Sequence, residues 1–81
     1  MSVNVTLKAN VGDIVYLPIP TLPLPARREV VEIRMHKHLT TYTLQNNRTG
    51  ETEVFDDIDF GVNVFTDLQD AKTALGRIRH V

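Results

Sequence analysis

The chain has 81 residues, no cysteine and no tryptophan, and its nine Lys and Arg against ten Asp and Glu leave a formal charge of −1. That length accommodates one compact domain, residues 1–81, which buries only about 60–65% of the surface its unfolded chain exposes. The missing cysteines exclude a disulfide framework, a thiolate nucleophile and a thiolate zinc site, and the charge balance excludes a global field drawing the protein to nucleic acid or an anionic membrane. No apolar run approaches the roughly 20 residues of a membrane helix. The opening Met1-Ser2-Val3-Asn4 lacks the basic start of a signal peptide, so a cytoplasmic, non-membrane protein is expected.

In chain order, Val3-Asn4-Val5-Thr6-Leu7 alternates with period two and is expected to be a short strand. Asn10-Val11-Gly12-Asp13 supplies a turn, and Ile14-Val15-Tyr16-Leu17 reads as the second strand. The run Pro18-Ile19-Pro20-Thr21-Leu22-Pro23-Leu24-Pro25 lacks four backbone donors and favours polyproline II, so it is expected to be a long irregular loop held against the body by its apolar residues.

Residues 30–55 read as a β-meander. Val31, Ile33 and Met35 make one inward face, whereas Tyr42 and Leu44 stand at the opposite parity. One uninterrupted strand cannot bury both sets, so a turn or bulge is expected between about His36 and Thr40. Asn46-Asn47-Arg48-Thr49-Gly50 is a second hairpin turn with Gly50 at its left-handed position, and Thr52-Glu53-Val54-Phe55 is the return strand. Asp56-Asp57-Ile58-Asp59-Phe60-Gly61 is a polar connection with two apolar plugs, and Val62-Asn63-Val64-Phe65 a last short strand.

A helix over about residues 67–78 closes the chain. Thr66 and Gln69 fit a capping box, Asp67 and Asp70 complement the amino-terminal dipole, and Leu68, Ala71, Leu75 and Ile78 form one stripe. Arg77, Arg79 and His80 suit its carboxyl end, while Gly76 is expected to weaken the last turn. Mostly β structure with one C-terminal α-helix, in five or six short strands, implies a strongly bent antiparallel barrel filled by its own side chains, with no deep ligand cavity.

Gly12-Asp13-Ile14-Val15-Tyr16, together with Val64-Phe65-Thr66 leading into Ala71 and Leu75, resembles the small SH3-like barrel proteins common in phages and low-GC Gram-positive bacteria. The end pattern of those proteins is Val-Phe-x-Thr-x-x-x-x-Ala-x-x-x-Leu, and this chain is one residue tighter between Phe65 and Thr66. The resemblance implies an SH3-like barrel, and the proline run departs from it.

Candidate chemistry is sparse. His36 and His38 are two apart, the spacing that aligns imidazoles on an extended strand, but no third ligand accompanies them, and Asp56, Asp57 and Asp59 lack the closing glutamate of a calcium loop. No metal and no cofactor is expected. Ser2 is the only serine, and no histidine stands in a nucleophile–base arrangement, so no catalytic residue is assigned and an enzyme is not expected.

Two binding surfaces remain. The first is a protein-docking surface made by Ile19, Leu22 and Leu24 of the proline loop with Arg27, Arg28 and Arg34 at its rim, serving an unknown protein partner. The alternative is a nucleic-acid surface of Arg34, His36, Lys37, His38 and Arg48. Exposed edge strands also make a homo-oligomer an option.

Overall fold

The computed structural model describes residues 6–79. Four strands make one antiparallel sheet in the order β1-β2-β3-β4: β1 (Ile14–Leu17), β2 (Ala26–His36), β3 (Leu39–Gln45) and β4 (Thr52–Asp56). A 3-10 turn (Asp57–Asp59) and the helix α1 (Leu68–Arg79) follow. The mostly β architecture with a C-terminal helix thus matches expectation, with four strands among the described residues instead of five or six. Val3 to Val5 of the expected first strand, and His80 of the helix end, lie outside the described residues, and Thr6 and Leu7 take no strand structure.

Each strand break has a local cause. The prolines end β1, because residues 18–25 cannot continue a ladder without donors. Lys37-His38 is a two-residue turn between the paired His36 and Leu39, within the expected interval. Its first residue, Lys37, is the one non-glycine at positive φ among the described residues (56°). Gly50 has φ 79°, and its N–H reaches Asn46 O at 2.7 Å, closing the second hairpin as its sequence predicted.

The parity conflict is resolved twice over. Besides the turn, a bulge at Val31 interrupts the β2–β3 register between Val30, opposite Leu44, and Glu32, opposite Thr43. Val30 therefore points into the core with Leu44, and Ile33, after the bulge, lies opposite Tyr42. The expected inward set of Val31, Ile33 and Met35 is corrected accordingly. Val30 is the wholly buried residue, Val31 and Ile33 are half-buried, and Met35 is 60% exposed because the hairpin outruns its neighbours. β1 covers only residues 26–29 of β2, and β4 only residues 41–45 of β3.

The core gathers Ala9, Val15, Leu17, Ala26, Val30, Tyr42, Leu44 and Val64, with Ile19, Ile33, Phe55 and Phe60 packed on it. Tyr42 is its largest fully buried side chain. Its ring meets Phe60 edge-on at 4.7 Å. Its hydroxyl accepts from Lys8 N–H (3.0 Å) and donates to Asp57 Oδ1 (2.8 Å), tying two separate segments to the central strand. Of the two apolar plugs expected in the connection, Phe60 packs inward and Ile58 is 80% exposed.

After the 3-10 turn the chain returns to β1. Tyr16 and Phe65 exchange two backbone hydrogen bonds, of 2.7 and 2.9 Å, where a four-residue strand was expected, and only Val64 and Phe65 make bridges there. The helix start also differs from expectation. Asp67, not Thr66, caps it, its Oδ1 accepting from Gln69 N–H at 2.7 Å. The reciprocal box forms instead at the 3-10 turn, between Asp56 and Asp59. Ala71 and Leu75 bury the helix stripe against β1, Leu68 and Ile78 stay largely exposed, and the helix runs through Gly76. Among the described residues no helix is long and apolar enough to cross a membrane.

Candidate docking groove

The proline loop folds back against the start of β2 and the β3–β4 turn, leaving an open groove of about 400 Å³. Its loop wall is Leu22, Pro23, Leu24 and Pro25. Its strand wall is Ile14, Ala26, Arg27 and Arg28, and the turn adds Asn46, Asn47 and Arg48. The loop has little freedom to collapse into it, because three prolines fix φ around the two leucines and Leu22 N–H is bonded to Ile19 O at 3.0 Å.

Leu22 is 37% exposed and Leu24 61%, so both offer apolar surface at the mouth. Arg27, Arg28 and Arg48 line the groove, and among the described residues no acidic side chain does. Glu29, the next residue along β2, is engaged by Asn47 Nδ2, which donates to its Oε1 at 2.9 Å. Arg28 is partly fixed, since its Nη1 donates to Arg27 O at 2.8 Å. Arg48 is held in the turn by its N–H, which donates to Asn46 Oδ1 at 2.9 Å. The arrangement suits a ligand that presents an apolar side chain flanked by negative charge.

Four of the six docking residues expected from the sequence therefore share one groove: Leu22, Leu24, Arg27 and Arg28. Ile19 does not. It is half-buried on the core and belongs to a smaller depression with Leu17, Pro18, Pro20, Glu53, Phe55 and Asn63. Arg34 is also elsewhere, six residues beyond Arg28 along β2 and so roughly 20 Å away along the strand. Its Nε pairs with Glu32 Oε1 at 2.8 Å on the exposed face of the sheet.

The alternative nucleic-acid set divides too. Arg34, His36, Lys37 and His38 cluster at the β2–β3 tip, whereas Arg48 stands beyond the opposite end of β3. No group of three or more His, Cys, Asp or Glu among the described residues is arranged to hold a metal ion. Asp56 and Asp59 instead serve the chain itself. Asp59 accepts from Asn63 Nδ2 (2.9 Å) and from Asp56 N–H (3.0 Å), and these two hydrogen bonds, the former the larger influence, hold its carboxyl below the usual value of 3.8.

Sequence reasoning missed Asn46, Asn47 and Arg48 as the far wall. A signal for them existed in the pairing: a return strand opposite residues 41–45 forces the turn to stand beside Glu29, which is itself opposite Gln45. Comparison with protein-family models, curated proteins and solved structures finds no match to this chain.

Proposed function

We propose that the chain is a non-enzymatic protein-interaction module, a small SH3-like barrel of the kind encoded by phages and other mobile elements, acting in the cytoplasm. It takes an extended segment of a partner protein, an apolar side chain flanked by carboxylates, in the groove between the proline loop and the β3–β4 turn. The single observation carrying this reading is the convergence of exposed Leu22 and Leu24 with Arg27, Arg28 and Arg48 on a groove with no acidic lining among the described residues. Prolines keep the leucines presented at low entropic loss on binding, the condition under which a modest apolar area yields affinity. The SH3-like reading draws support from the backbone ladder of Tyr16 with Phe65, which folds the segment after β4 back onto β1 and begins to close the sheet on itself.

The test is a peptide selection. Seven-residue segments of a random library are selected on the protein, and the enriched peptides are titrated while backbone NMR shifts are followed. Enrichment of acidic peptides with a central Leu, Phe or Trp is expected, with shifts at Leu22, Leu24, Arg27, Arg28 and Arg48. Leu22→Asp with Leu24→Asp should abolish binding and leave the circular dichroism spectrum unchanged. Shifts confined to residues 34–39, or retardation of single-stranded DNA or RNA at low salt, would move the function to the hairpin tip.

A further inference from the structure

The groove calls for an apolar side chain held between carboxylates, and the chain itself displays one. Ile58, in the 3-10 turn after β4, is 80% exposed, more than any other large apolar side chain among the described residues. Of those exposed side chains it alone stands between two acids in sequence, Asp57 and Asp59, with Asp56 one position further back. Met35 lies between Arg34 and His36, and Ile78 between Arg77 and Arg79, so the arginines of the groove would repel both.

The turn presents Ile58 in a fixed frame. Asp56 Oδ1 accepts from Ile58 N–H at 3.1 Å, and Asp59 Oδ2 accepts from Asp56 N–H at 3.0 Å, which locks the backbone on both sides of it. Asn63 Nδ2 donates to Asp59 Oδ1 at 2.9 Å, and the Tyr42 hydroxyl donates to Asp57 Oδ1 at 2.8 Å. A carboxylate has about four acceptor positions, and Asp56, Asp57 and Asp59 all stay half-exposed, so each keeps room for a guanidinium. Little ordering is left for binding to impose.

We propose that the Ile58 turn of a second copy of this chain docks in the groove, with Ile58 against Leu22 and Leu24 and the carboxylates of the turn against Arg27, Arg28 and Arg48. The docking rests on the groove reading above and supplies its occupant. Three guanidinium groups meet three carboxylates, so a contact apolar at its centre is neutral at its rim.

A copy does not fill its own groove. The groove takes in the β3–β4 turn at one end of β4, whereas Ile58 follows the other end of that five-residue strand, roughly 15 Å away. Each copy therefore offers one groove and one turn, and the contact joins copies head to tail. It buries little area, so association is weak and depends on concentration.

Sedimentation velocity from about 10 μM to 1 mM at low salt tests the docking. The weight-average mass of the wild type is expected to climb with concentration. Ile58→Lys sets a lysine against the arginines, and Leu22→Asp with Leu24→Asp sets carboxylates against carboxylates, so each should weaken association at least about tenfold. Arg48→Glu, a second groove variant at an exposed position of the turn, should do the same. Every variant keeps one half of the contact intact. An equimolar mixture of Ile58→Lys with either groove variant should therefore recover a 1:1 dimer that grows no further, which also establishes that both are folded. Three results would each overturn the docking: a wild type that stays monomeric throughout the range, association that survives these substitutions, or no recovery on mixing variants whose circular dichroism is unchanged. The peptide selection separates this outcome from failure of the groove reading. Acidic peptides that bind a monomeric wild type exclude the second copy and leave the groove reading standing, whereas loss of both peptide binding and association removes the groove itself.

Discussion

Replacing Tyr42 by Phe removes one oxygen and leaves the shape of the core intact. The ring keeps its 4.7 Å edge-on contact with Phe60 and its place opposite Ile33 and Phe55. What is lost is the acceptor of Lys8 N–H at 3.0 Å and the donor to Asp57 Oδ1 at 2.8 Å. A neutral hydrogen bond nets about 1 kcal/mol and one to a charged group about 1.5–3 kcal/mol. Asp57 is half-buried, so water recovers part of its loss, and the sum comes to about 1.5–3 kcal/mol. For a chain of this length that lowers the melting temperature by roughly 6–20 °C.

Urea denaturation gives the free energy directly, and a cycle with Asp57→Ala isolates the pair. A coupling of at least about 1 kcal/mol is expected for a charge-assisted bond. A Tyr42→Phe loss under about 0.5 kcal/mol, or strict additivity with Asp57→Ala, would refute the idea that this hydroxyl fastens the 3-10 turn and residue 8 to the central strand.

The same hydroxyl sets an alkaline limb. Burial raises the Tyr42 pKa above its ordinary 10.0, with the Lys8 N–H acting in the opposite direction and the Asp57 bond and charge adding to the rise. The unfolded chain therefore loses this proton first, and the contribution is complete below about pH 10 and fades as pH climbs through the folded value. Tyr42→Phe should flatten that decline in urea midpoints, and an unchanged slope would exclude it. At the acid end the sign reverses. Asp59 titrates below 3.8 when folded, chiefly through Asn63, so its contribution is present above that value and fades as pH falls through the lower folded one. Asn63→Ala should make the midpoint less sensitive to pH below about 4, and an identical acid profile would count against the bond. Lys37→Gly relieves a residue at φ 56° in a two-residue turn and should stabilise by about 0.5–1 kcal/mol, whereas a destabilised variant would mean that the turn is not strained.

What the sequence made legible was whatever rests on local backbone chemistry. Gly50 announced its turn because only glycine takes φ 79° without strain, the prolines announced the loop, and the opposed parities of β2 and β3 required a break before Thr40. The bulge at Val31 was not legible, because Val30-Val31 are equally apolar and only the pairing with Leu44 decides which is buried. The helix cap was misread for a similar reason: Thr66 and Asp67 are both good caps, and the ladder of Phe65 with Tyr16 holds the chain extended just before them, so the helix starts one residue later. Ile19 is apolar and proline-flanked like Leu22, yet it packs inward because it follows β1 directly and reaches the core that Leu22 has already left behind.

The bulge also separates the two surfaces. Before Val31, β2 is covered on its outer side by β1 and carries Arg27 and Arg28 into the groove; after it, the strand leaves β1 and no strand among the described residues pairs with its outer edge. At about 3.3 Å per residue the groove and Ile33 lie roughly 15–20 Å apart along one strand.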